Sequence, residues 1–369
     1  MIYITYGKDY AKNTYELLAA SDIAAYLDAG YSVAIKPNLV VPSPAVVGAT
    51  THPEVVEGII LFLRDFGVKK IKIIESSWVG DSTARAFIAC GYEELSGKHG
   101  VPLVDLKKDS SSVARSGGAA GPAGPAGGAG PAGGEFRVCD EALNTDFLIN
   151  VPVLKAHCQT RMTCCMKNLK GCIPDSEKRR YHTLGIHKPV AELNSIIKTG
   201  YCVVDGICGD LSFEEGGNPV VADRIIAGRN PLLVDSYCAE LIGYRPDEIG
   251  YLAYGRTLGV GNFFSRETPV VELNAQNKPA YNAKAGRSAA EKYGALIEED
   301  AACSACYSAL IYALHRLGGK TGVKGKIRIG QGFRGKTASC AGVGNCAGGC
   351  EIFAEGCPPK ATDIMRILK

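Results

Sequence analysis

No stretch of this 369-residue chain is long and apolar enough to span a bilayer. The longest apolar runs, such as Gly58-Ile-Ile-Leu-Phe-Leu63, fall far short of the ~18 residues a spanning helix needs. The N-terminal Met1-Ile-Tyr-Ile-Thr-Tyr-Gly-Lys8 lacks the apolar run of a signal peptide. Excess charge of one sign is missing too: 41 Lys and Arg against 38 Asp and Glu leave a net +3, with no basic stripe interleaved with aromatics. Neither nucleic acid nor a membrane is therefore an expected partner. Hydrophobic residues at 46% and charged residues at 21% exclude wholesale disorder. The expectation is a folded cytoplasmic protein of two domains, at roughly 150 residues per domain.

Cysteine is what the chain has in excess. Its fifteen cysteines are an odd number, and six of them fall in the last 67 residues. Without an export signal, disulfides are disfavoured, which leaves buried thiols and metal ligands as the two uses.

From the N-terminus the apolar pattern switches repeatedly between helical and strand spacing. Helices are expected over 11–28, 54–66, 83–90, 189–198, 232–242 and 246–258. Strands are expected at 31–35, 70–74, 102–106, 147–151 and 201–204, then at 269–273 and 326–329. This alternation predicts an α/β fold with a mostly parallel sheet flanked by helices, over residues 1–275. Residues 117–134 contain only Gly, Pro and Ala, with Gly at every third place from 118 to 133. Six such triplets are too few for a stable triple helix, so a flexible surface insert is expected there.

A small cysteine-rich C-terminal domain is expected over 285–369. Cys303 and Cys306 lie three apart at a predicted helix start, where the helix N-terminus favours thiolate charge. Cys346 follows Gly342-Val-Gly-Asn, and Cys357 opens Cys-Pro-Pro. Glycines allow close backbone approach to a cluster, and Cys-Pro closes ligand loops in bacterial ferredoxins. Cys303, Cys306, Cys346 and Cys357 are therefore the expected ligands of a [4Fe-4S] cluster. A structural zinc and a set of buried free thiols are the alternatives. Cys340 and Cys350 carry no assigned role.

Polar groups recur directly after predicted strands. Lys36 and Asn38 follow one, Lys155 and His157 another, and Lys167 and Asn168 close a short helical segment. In an α/β fold such loops gather at one sheet edge, where they would form a cationic crevice for a carboxylate or phosphate. A solvated basic edge is the bland alternative, and a metal held by His157, His182 and His187 a further one. Cys164 and Cys165, read as neighbours on one helix facing different ways, are expected in the core. Asp205 and Asp235 are expected as cap or turn residues. The glycine clusters at 255–261 and 325–335 lack the strand–turn–helix setting of a nucleotide site.

Taken together, Lys36-Pro-Asn38, the block Asn150-Val-Pro-Val-Leu-Lys155-Ala-His157, Lys167-Asn-Leu-Lys-Gly171, Val204-Asp-Gly206 and Asn230-Pro-Leu-Leu-Val-Asp235 resemble the domain-of-unknown-function 362 family over about residues 30–245. The tail is similar to that family's iron–sulfur-binding subgroup. The resemblance implies an α/β fold and anaerobic, cluster-associated biochemistry. The expected activity is redox chemistry on a small anionic substrate or cofactor, with Lys36, Asn38, Lys167 and Asn168 binding it and Lys155 and His157 catalytic. A nonredox lyase or desulfurase, and a ferredoxin-like carrier serving a partner protein, are the alternatives.

Overall fold

The computed structural model describes residues 1–116, 134–280 and 289–369; the Gly-Pro-Ala insert, apart from Gly134, lies outside them. In chain order the strands are β1 Ile2–Tyr6, β2 Ser32–Pro37, β3 Lys70–Glu75, β4 Leu103–Asp105, β5 Ser111–Arg115, β6 Glu135–Cys139, β7 Phe147–Val151 and β8 Lys155–His157. They continue with β9 Arg161–Thr163, β10 Thr199–Gly206, β11 Arg224–Gly228, β12 Val270–Glu272, β13 Ile297–Glu299, β14 Ile327–Ile329, β15 Ala338–Val343 and β16 Cys350–Ala354.

Eight of them form one sheet in the order β12-β1-β11-β10-β7-β2-β3-β4. All run the same way except β11, which pairs antiparallel with both β1 and β10. The central strands are apolar on both faces, as a sheet covered on both sides requires. Ala34, Leu148, Val204 and Ile226 meet helices His187–Ile196 and Pro231–Leu241 on one face. Val33, Ile35, Ile149 and Val203 meet helices Tyr10–Ala20 and Pro53–Asp65 on the other. Those last two helices touch backbone to backbone: a Cβ on Gly58 would lie 2.3 Å from the Ala11 carbonyl oxygen.

Several elements differ from the sequence expectation at their ends or were not expected. The helix expected over 11–28 stops at Ala20 and resumes as a single 3₁₀ turn, Ile23–Ala25. The segment 246–258 splits into a 3₁₀ turn and the helix Gly250–Thr257. β1 and β11 extend the sheet, and β5 and β6 pair as an antiparallel hairpin whose ends flank the insert.

Beyond residue 289 a second, smaller sheet forms, all parallel, in the order β13-β14-β15-β16. Helices Ser304–Arg316 and Ala361–Leu368 close it around Leu310, Leu314, Ile329, Val343 and Ile364. Phe213, from the loop after β10, enters this core and stacks edge-on against Tyr312 and His315. Gln159 fixes the junction: its amide donates to Glu299 Oε1 (2.6 Å) and the Ala302 carbonyl (2.9 Å), and its oxygen accepts from Ser304 Oγ (2.8 Å).

At the end of β10, buried Asp205 accepts from His52 N and lies 2.8 Å from His52 Nδ1. Burial opposes the imidazolium, but Asp205 outweighs it and raises His52 to about 10. A group raised in the folded state stabilises it fully below the unfolded pKa of about 6.5, and that contribution fades as pH rises through the folded value. The unfolding free energy of the wild type should therefore fall between pH 7 and pH 10 by an amount on the order of a few kcal/mol, read as a lower melting temperature. His52→Leu should flatten that dependence; an equal slope in the variant would refute it.

Candidate functional site

The chain runs from β2 outward to β3 and β4, then returns on the other side of β2 as β7 and β10. The crevice where order reverses, beyond the C-terminal ends of β2 and β7, is where open α/β sheets bind ligands. Lys36 and Asn150 sit opposite each other there. Lys36 Nζ is fully buried and bonds Glu75 Oε1 (2.9 Å) and the Pro37 carbonyl (2.9 Å). Glu75 also accepts from Ser76 N and Leu39 N. Asn168 bridges the two strands, donating to Asn150 Oδ1 (2.8 Å) and the Lys36 carbonyl (3.2 Å). Gly171 is compulsory beside them, since a Cβ would fall 2.2 Å from Glu75 Oε1.

Lys36, Glu75, Asn168 and Gly171 line a cavity of about 110 Å³ together with Asn38, Lys167, Lys170, Lys178, Arg179, His182, Glu214 and the cysteines Cys303, Cys306 and Cys357. Of the expected crevice residues, Lys36, Asn38, Lys167 and Asn168 are thus brought together, whereas Lys155 and His157 are not among its walls. Their i, i+2 spacing does place them on one face, but that face is covered by the loop after β10. Lys155 Nζ is satisfied by the carbonyls of Ala49 (2.7 Å) and Glu214 (2.9 Å). His157 Nδ1 accepts from Gln159 N and Thr160 N, which puts the ring proton on Nε2, 3.0 Å from Glu214 Oε2. Burial pushes His157 down to about 4 and Lys155 down to about 8. Both residues position Glu214 and neither reaches the cavity.

Glu214 is the residue that sequence reasoning missed. Its carboxylate contacts Lys167 Nζ (3.1 Å) as well as His157 and is wholly buried at the crevice wall. Burial disfavours its charge, yet the surrounding His157, Lys167 and Lys155 hold it well below the usual carboxylate range. The only signal was an acidic pair beside two glycines, Glu214-Glu-Gly-Gly217, in a loop with no periodicity.

The other cations differ in how they are answered. Lys178 Nζ bonds the Ser77 carbonyl (2.8 Å), Ser76 and Asp175. Lys170 Nζ has His182 Nε2 at 3.4 Å as its hydrogen-bond partner and no carboxylate among the described residues. Burial and the neighbouring Lys167 push it down to about 7. Arg179 is exposed at the rim and forms no ion pair with a described residue. Among the buried polar atoms of the wall, Asn38 Oδ1 and His182 Nδ1 have no hydrogen-bond partner, and Glu214 Oε2 has only its ion-pair contact with His157.

Arg179, Cys303, Cys306 and Cys357 also line a neighbouring cavity of about 60 Å³, which Cys346 and Arg334 complete. Cys303 caps the helix Ser304–Arg316, and Cys306 sits in its first turn. The loops bearing Cys346 and Cys357 are stitched together, Asn345 N to the Gly356 carbonyl and Gly356 N to Asn345 Oδ1. Gly344 lies at φ +83°, and a Cβ there would come within 3.4 Å of Cys306 Sγ. Arg334 Nε donates to Cys346 Sγ at 3.3 Å. Burial and the crowding of the other sulfurs push Cys306 up to about 12, against the expectation that the helix start favours its thiolate. Among the described residues, the sets of three or more ligating groups all within 4.8 Å are His157, Cys158 and Glu214, and Cys164, Cys165 and Asp235. No three sulfurs of the quartet are that close, and four thiolates ~2.3 Å from one zinc ion would stand only ~3.8 Å apart.

Three further expectations resolve here. Cys164 is not helical; it precedes the short helix Cys165–Asn168, and the two sulfurs lie 3.9 Å apart in the core rather than facing apart. Asp235 is a cap, though from another helix, accepting from Cys165 N (2.7 Å) and Met166 N (2.9 Å). Of the three histidines weighed as metal ligands, His182 lines the crevice, while His187 stacks on Tyr251 and lies outside its walls.

Fold and site thus define an α/β protein with a switch-point crevice abutted by a cysteine-lined cavity. The family model described as "Domain of unknown function (DUF362)" matches residues 33–240, more than half of the chain, and the chain belongs to that family. A thylakoid-associated protein of Synechocystis sp. is 26% identical over 246 residues, covering 64% of this chain and 70% of that protein. The lactate racemase apoprotein from Thermoanaerobacterium thermosaccharolyticum superposes with a TM-score of 0.41 at 13% identity, over 65% of this chain and just 56% of the racemase. Among the described residues no helix is long and apolar enough to cross a membrane.

Removing the Glu214 carboxylate leaves Lys167 buried without its counter-charge. Glu214→Ala should therefore cost roughly 3–5 kcal/mol of unfolding free energy, as for a broken buried pair. Denaturant titration measures it, and a loss below about 1 kcal/mol, the worth of a surface pair, would contradict this role.

Proposed function

We propose that this protein is an iron–sulfur redox enzyme in which Cys303, Cys306, Cys346 and Cys357 hold a [4Fe-4S] cluster beside a crevice that takes a small anionic substrate. One observation carries the reading: the thiol-lined cavity and the cationic crevice share Cys303, Cys306, Cys357 and Arg179 as common wall. The donor set is four soft sulfurs, spread wider than a single zinc ion allows, which favours a polynuclear cluster over the zinc alternative. When bound, such a cluster supplies one-electron transfer.

The chain's own residues supply the rest. Arg179 offers an unanswered positive charge at the rim, and Asn38 Oδ1 an unsatisfied acceptor within. Glu214 and Glu75 neutralise the deeper lysines, so the crevice is positive without being overcharged. The Arg334 guanidinium donates to Cys346 Sγ and Cys303 stands at a helix N-terminus, which partly offset the burial and mutual crowding that oppose thiolate charge on Cys303 and Cys306.

Anaerobic reconstitution with iron and sulfide, followed by metal and sulfide analysis and EPR of the reduced protein, tests this. The expected product holds iron and acid-labile sulfide in equal amounts and gives a reduced-state signal. Cys346→Ser should lose the signal or alter it markedly, while Cys340→Ser keeps it, because Cys340 lies outside the cavity and 3.7 Å from Cys350 instead. Zinc without sulfide in the purified protein, or unaltered iron in Cys346→Ser, would overturn the assignment.

A further inference from the structure

Each crevice lysine but one is answered by a carboxylate: Lys36 by Glu75, Lys167 by Glu214 and Lys178 by Asp175. Lys170 has an imidazole in that place, with His182 Nε2 at 3.4 Å. His182 is 8% exposed, lines the same cavity, and its Nδ1 has no partner. A lysine on a cavity wall that only had to remain a cation would gain by an acidic partner; one half-buried against a neutral base is arranged to give up its proton. Burial and nearby Lys167 act in the same direction, bringing Lys170 to about 7.

We propose that Lys170 is a nucleophilic amine that forms an imine with the carbonyl carbon of a small 2-oxo acid, whose carboxylate pairs with Arg179. This deepens the substrate side of the function proposed above and uses the same crevice, but it does not need the cluster. In the step, the Lys170 nitrogen attacks the carbonyl carbon and the carbonyl electron pair moves to oxygen. The first proton lost from nitrogen passes through His182 Nε2 to that oxygen and makes the carbinolamine hydroxyl; the second follows the same path and carries the hydroxyl off as water while the nitrogen lone pair closes the C=N bond. One C=N bond and one water are formed, and nothing is oxidised or reduced. A cavity of about 110 Å³ suits a molecule of a few carbon atoms.

The test is reductive trapping. The full-length protein is incubated with pyruvate or glyoxylate and cyanoborohydride, and the adduct is located by peptide mass mapping. The expected result is one dominant adduct on Lys170, lost in Lys170→Arg and slowed in His182→Ala. Mapping the wild type does not depend on how a variant folds. An adduct spread over surface lysines, one centred on Lys178 or Lys167, or none at all would overturn the proposal. Saturable pyruvate binding that protects the crevice without forming an adduct would also overturn it, reducing Lys170 to a simple anion contact. Running Cys346→Ser in parallel separates the two readings. Trapping that persists there while the EPR signal is lost supports the amine independently of the cluster, and a cluster-loaded wild type that never traps leaves the redox reading standing alone.

Discussion

Positive charge cannot be withdrawn from water unless something replaces the water, and this requirement organises the C-terminal edge of the large sheet. An ammonium left uncompensated in the interior costs several kcal/mol, comparable to the whole stability of many domains. Lys36, Lys155, Lys167 and Lys178 all end in buried positions, and each is met by partners from elsewhere in the chain, Glu214 serving two of them and the end of β3 the other two. Meeting them ties the loops after β2, β3, β8 and β10 into one framework. The crevice is what remains at the centre of that framework, and its floor is held by the hydrogen-bonded Lys36, Glu75, Asn150 and Asn168.

The smaller sheet is docked onto the same framework by few but specific contacts. Gln159 grips the turn just before Cys303, and Phe213 inserts beside His315 from the loop that also carries Glu214. The residues that set the wall of the crevice are therefore neighbours in sequence of those that seat the cysteine-bearing unit. His157 and Lys155 belong to this arrangement by holding Glu214, which accounts for a dense polar motif that does not itself face the cavity.

Much of this architecture was legible in the chain. The switch between helical and alternating apolar spacing located the parallel strands at 32–37, 70–75, 147–151 and 199–206, and the polar residues after them marked the sheet edge where the crevice opens. β1 and β11 were passed over because they are short and sit outside the strand–helix rhythm, and β11 runs against its neighbours. β15 and β16 were hidden by glycine and cysteine, which carry little strand signal although their backbones pair well. Period-two reasoning put Lys155 and His157 on one face, yet spacing along a strand says nothing about what covers that face. Glu214 could not be found from pattern, since only the folding back of an irregular loop brings it to Lys167. The cysteine spacing pointed to residues that share a cavity, and it missed Arg334 and Arg179 as the charged groups beside them.

The shared wall between the two cavities has a thermodynamic consequence. An occupant of the sulfur-lined space and an occupant of the crevice both press on Cys303, Cys306 and Cys357. Any coupling that arises through this wall is reciprocal: whatever factor one occupant imposes on the other, it receives in return. Inorganic loading of the tail and molecular recognition at the sheet edge would thus be two readings of a single equilibrium.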